Sequence, residues 1–142
     1  MIGIYRGYYR YSSKKVQKAI GFEKTDFIIK VTFFDGETFS GTVKDDVETG
    51  GMKEEGFLKG KIIKNQISFE KYMPKHYELN IFTNGHKIKD DIHPTIFYSG
   101  SALDENCFSG QWKIRRNYKF LLGLFSVALN LGTGTWRMEK EN

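Results

Sequence analysis

One cysteine, two prolines and no membrane-length apolar run set the first limits on this 142-residue chain. A lone Cys107 excludes an intrachain disulfide and any zinc site built on a cysteine cluster. It begins an apolar strand segment, where a buried, inert thiol is expected. Scarce proline and the lack of any low-complexity tract argue against a disordered or linker-like chain. The charge-free stretch 120–130 falls well short of the ~20 residues that a membrane helix needs. The start, Met1 to Tyr9, lacks a basic segment followed by an apolar one, so no signal peptide is expected and the cytoplasm is the default location. No nucleophile elbow, Walker loop or dinucleotide fingerprint occurs, and no catalytic residue, metal ligand or cofactor is assigned.

The net charge is +5 and the isoelectric point is near 9.2. That permits weak attraction to nucleic acid or anionic lipid without requiring it. The lysines and arginines are scattered along alternating segments, and the densest runs, Lys14-Lys15 and Arg115-Arg116, are short. They read as solvated surface, so neither a nucleic-acid partner nor membrane insertion is expected.

Aromatic residues are plentiful at 15%, with 12 Phe and 8 Tyr, enough large rings to build a core. Glycine is equally informative. Five copies of an apolar-x-Gly-x-apolar pattern stand in separate strand-like runs, centred on Gly7, Gly41, Gly60, Gly100 and Gly110. Residues two apart share a strand face, so each glycine leaves a gap on the core side. Such gaps let strands bend sharply or close a barrel. Adding Gly3 and Gly123, the chain holds seven matches, where random placement gives ~2.

The remaining pattern is that of a meander. A strand is expected over 3–11, then a short helix over 14–20 capped by Ser13 and stopped by Gly21, or else a mobile loop. A hairpin over 27–43 turns at Asp35-Gly36. Further strands are expected at 57–63, 66–73, 95–103, 107–115 and 133–138, with a second hairpin over 76–92 around Asn84-Gly85. Segment 118–131 is apolar on all sides and reads either as a helix or as two strand pieces around Gly123. The fold class is therefore all-β: one domain, 1–142, as a single antiparallel meander closed into an approximately eight-stranded up-and-down barrel with one or two short helical segments.

Phe108-Ser109-Gly110-Gln111-Trp112, together with Phe39-Ser40-Gly41-Thr42-Val43, resembles the aromatic–hydroxyl–glycine strands of avidin-like barrels. The order of elements is similar to the wider calycin group, which includes lipocalins and fatty-acid-binding proteins. The resemblance implies an up-and-down barrel, often with a small-molecule site inside one mouth. With only Trp112 and Trp136 present, it carries over no biotin-binding residue.

Candidate interior residues follow from strand parity. Lys71 shares the face of Ile67 and Phe69; pointing inward, it needs an anionic partner, such as a ligand carboxylate or phosphate. At a strand end it would instead snorkel to water, and a bulge would turn it outward. Tyr5 and Tyr9 share a face with Tyr11, and Tyr98 lies on the glycine face of a later strand. These phenols either line a ligand site or simply fill the barrel. Phe39, Trp112 and Trp136 complete the candidate lining. His86, Asp90, Asp91 and His93 match no metal-ligand spacing, and Asp45, Asp46 and Glu48 read as a solvated turn. The expected function is non-enzymatic binding of a small hydrophobic or amphipathic molecule in the interior. The alternative is a solid-core interaction or structural module, and an enzyme on a calycin-like barrel ranks third. Homo-oligomerisation stays open.

Overall fold

Strict alternation is clearest in β2 (Thr25–Phe34), where Thr25, Phe27, Ile29 and Val31 are buried and Asp26, Ile28 and Lys30 are exposed. A sheet with one apolar face must cover it, and closing the sheet on itself does so without leaving an edge. The computed structural model describes residues 1–74, 76–80, 85–89, 95–120 and 125–142. Its strands are β1 (Gly3–Tyr11), β2, β3 (Thr38–Asp45), β4 (Gly56–Ile63), β5 (Gln66–Tyr72), β6 (His76–Asn80), β7 (Gly85–Lys89), β8 (Ile96–Ala102), β9 (Cys107–Phe120) and β10 (Phe125–Lys140). Eight of them form a closed antiparallel barrel in the order β1-β10-β9-β8-β5-β4-β3-β2, while β6 and β7 pair with each other between β5 and β8.

Local chemistry sets the connections. Ser13 accepts a hydrogen bond from the Val16 N–H at the start of α1 (Lys14–Ile20), and Gly21 ends the helix at φ 91°. At the β2–β3 turn the Asp35 carboxylate accepts from the Glu37 and Thr38 N–H groups, at 2.9 and 2.6 Å, and Gly36 takes φ 102°. Asp46 caps a 3-10 turn over Val47–Thr49. In segment 118–131 the described residues are strand: β9 and β10 pair from Cys107↔Glu139 out to Phe120↔Phe125, with a bulge between Asn130 and Gly132. The second hairpin pairs Asn80 with Gly85, so Gly85 stands in β7 rather than at the turn; residues 81–84 are outside the described set. Among the described residues, no helix is long and apolar enough to cross a membrane.

The interior is a cluster of rings. Phe69 stacks on Tyr98 at 4.6 Å, and the Trp136 ring lies 5.3 and 5.8 Å from them. Tyr9 meets Trp112 edge-on at 5.8 Å. The glycines permit this closeness. Gly100 and Gly110 face each other in register, and a Cβ on Gly110 would sit 1.9 Å from the Ser99 carbonyl oxygen. Elsewhere a ring takes the gap: a Cβ on Gly7 would lie 2.7 Å from Phe27 Cζ, and one on Gly60 2.8 Å from Phe39 Cζ.

Candidate functional site

β5 runs against β4 without a register shift, so Lys71 keeps the parity of Ile67 and Phe69 and faces inward. It is 2% exposed, which rules out snorkelling. Its Nζ donates to both carboxylate oxygens of Asp45, at 2.6 and 2.7 Å. Asp45 ends β3 two residues beyond Val43, on the same inward face. The interior lysine therefore meets its anion within the chain. Above the pair, Lys71 Nζ lies 5.1 Å from the centre of the Tyr9 ring, a favourable cation–π contact.

Tyr9, Tyr11 and Tyr98 gather around this pair. Burial pushes all three phenols above their ordinary value, and the Asp45 charge pushes them further. For Tyr9 and Tyr98 the rise is large. They are neutral near pH 7 and can donate hydrogen bonds. Thr25, buried beside them, donates to the Thr49 carbonyl at 2.8 Å.

All seven candidate residues face the interior. Phe39, Lys71, Tyr98, Trp112 and Trp136 are buried there, and Tyr9 packs against the core half-buried. Tyr9, Lys71, Tyr98 and Trp112 come together towards the end where β5 leaves the barrel. Tyr5 lies towards the other end, buried, its hydroxyl donating to the Met1 carbonyl at 3.1 Å. The indoles satisfy themselves on backbone: Trp112 Nε1 on the Arg10 and Thr135 carbonyls, Trp136 Nε1 on those of Ser99 and Gln111.

Asp45 was hidden by its neighbours. Beside Asp46 and Glu48 it reads as part of a polar loop, yet the alternation Phe39, Gly41, Val43, Asp45 carries the signal that it faces inward. Burial pushes the Cys107 thiol up, in keeping with an inert residue. Among the described residues no group of three or more His, Cys, Asp or Glu could hold a metal. The His86, Asp90, Asp91 and His93 grouping lies outside the side chains described.

Two concavities lie on the outside of the wall, each at an inward glycine. One, of about 810 Å³, surrounds Gly7 and carries both signs of charge, Arg6, Lys44 and Arg137 with Asp26, Glu48 and Glu139 among them. The other, of about 880 Å³, includes Gly60 and crosses β3, β4, β5, β8 and β9. Its outward residues stand in one row through the ladder, Lys59↔Glu70↔Phe97↔Lys113, with Lys61, Ser68, Ser99 and Gln111 in the next. Compared with models of known protein families, with curated proteins and with solved structures, the chain finds no match.

Proposed function

We propose that this barrel is a non-enzymatic binding module whose filled interior is structural and whose outer wall meets the partner. The observation that carries the reading is the closure of the interior on itself: Asp45 neutralises Lys71, and neighbouring rings occupy the glycine gaps at Gly7 and Gly60. A buried charge that already has two short hydrogen bonds has little left to offer a ligand. The same sealing argues against an enzyme, because the buried acid–base pair found among the described residues, 3% exposed on each side, has no access for a substrate. The closed up-and-down order supports including the avidin- and lipocalin-type kinship in this reading.

A small hydrophobic or amphipathic ligand inside the barrel is the second reading. It is favoured by the half-buried Tyr9 and Tyr11 beside Lys71, neutral donors at one barrel end. Native mass spectrometry of the protein purified from its own host separates the two. The outer-wall reading expects the 16.5 kDa chain, alone, in whole multiples or with a macromolecular partner, and free of any small molecule. A co-purifying small molecule that leaves only on denaturation overturns it in favour of the interior site.

A further inference from the structure

We infer that the groove across β4, β5, β8 and β9 binds single-stranded nucleic acid, with Phe97 stacking a base and Lys59, Lys61 and Lys113 holding the phosphates. The inference rests on the outer-wall reading above and names its partner. In the linear sequence these lysines are separated by up to 54 positions and look scattered. The ladder gathers them: Lys59 and Lys113 stand at the two ends of one in-register row with Glu70 and Phe97 between them, and Lys61 lies in the next. Three spacings of ~4.8 Å put the ends of that row roughly 14 Å apart.

Charge and shape point to the same partner. Among the described residues, the charged ones lining the groove are three lysines against one carboxylate, Glu70. Glu70 is engaged by the Tyr72 hydroxyl, and among the described residues none of the three ammonium groups is in an ion pair. The aromatic surface is exposed where a core residue would not be. Phe97 is 37% exposed and Phe33, at the groove's edge, 52%. Next to the groove, Phe57 stacks on Tyr72 at 4.8 Å, and Lys59 Nζ lies 5.5 Å from the Tyr72 ring centre. Flat rings interleaved with cations suit a strand whose bases are free to stack, whereas a duplex hides those faces. Ser68, Ser99 and Gln111 add hydrogen-bonding groups on the groove floor.

The test is fluorescence anisotropy with a labelled oligothymidylate of about 12 nucleotides. The same-length DNA duplex and a sulfated polysaccharide serve as competing arms. Tighter binding of the single strand is expected, with log K falling against log salt at a slope of about −2 for three lysines. Phe97→Ala should weaken binding roughly ten-fold. Lys59→Ala with Lys113→Ala should flatten the slope by about 1.4. Both changes are at exposed positions, and unchanged thermal melting would show that the fold is retained. Absence of binding overturns the inference, as does equal or tighter binding of the duplex or polysaccharide, or indifference to Phe97→Ala. None of these results bears on whether a small molecule co-purifies inside the barrel, so the outer-wall reading is tested separately.

Discussion

At the scale of single residues, Lys71 and Asp45 carry opposite lessons about what strand parity reveals. The inward direction of Lys71 is legible from Ile67 and Phe69, but its environment is not. Its counter-ion lies 26 positions away, in a run that composition assigns to a solvated loop. No local pattern joins the two; the barrel does, by bringing the ends of β3 and β5 to one side of the core. The pair is expensive to break and cheap to replace. Removing one partner strands a buried charge, whereas exchanging both for apolar groups removes the desolvation cost too. Asp45→Asn should therefore lower unfolding stability by about 3–5 kcal/mol. The double change Asp45→Leu with Lys71→Met should recover most of that loss. Urea denaturation of the three proteins measures it. A double variant as unstable as the single one would mean that the pair contributes more than charge compensation.

At the scale of elements, the first hairpin was readable, and the helix was one of two readings of its segment, because their ends carry their own chemistry. Ser13 and Gly21 bound α1, and Asp35-Gly36 makes its turn from side-chain and backbone hydrogen bonds that need no distant partner. Segment 118–131 was not readable, because an apolar run without a polar face has no period to decide between helix and strand. Pairing with its neighbour decided it, since β9 and β10 continue their ladder to Phe120↔Phe125. The glycine pattern belongs to this scale as well. Its position in separate strands led to the expectation of bending or barrel closure, but only the register shows Gly100 and Gly110 opposite one another. Gly110→Ala would drive a methyl to 1.9 Å from a backbone oxygen that belongs to the ladder and cannot swing away. A loss of about 3 kcal/mol or more is expected. Gly36→Ala meets nothing within 4 Å and is strained only by its positive φ, a cost of about 1–2 kcal/mol. Thermal melts of the two variants should rank them in that order, and a Gly110→Ala protein as stable as Gly36→Ala would show that the strands can part.

At the scale of the whole molecule, closing the barrel turns several separate tyrosines into one collective constraint. Tyr9, Tyr11 and Tyr98 come from β1 and β8, and no spacing in the chain brings them to a common carboxylate; the closed wall does. Burial first, and the Asp45 charge second, hold these phenols protonated in the folded state beyond the pH at which the unfolded chain releases the protons. The folded state then binds more protons than the unfolded state, so stability falls as pH rises. The contribution is complete below the unfolded tyrosine value of about 10 and is lost progressively above it. The melting temperature should thus decline steeply beyond about pH 10, and Tyr9 and Tyr98 should ionise with unfolding rather than before it. Ultraviolet titration followed alongside circular dichroism tests this. Replacing Tyr9 and Tyr98 by Phe should leave a protein whose stability depends less steeply on alkaline pH, whatever its stability at neutrality. Identical alkaline slopes for the variant and the parent would show that the phenols are reached by hydroxide in the folded barrel, and with that the closure of this end on which the outer-wall reading depends would fail.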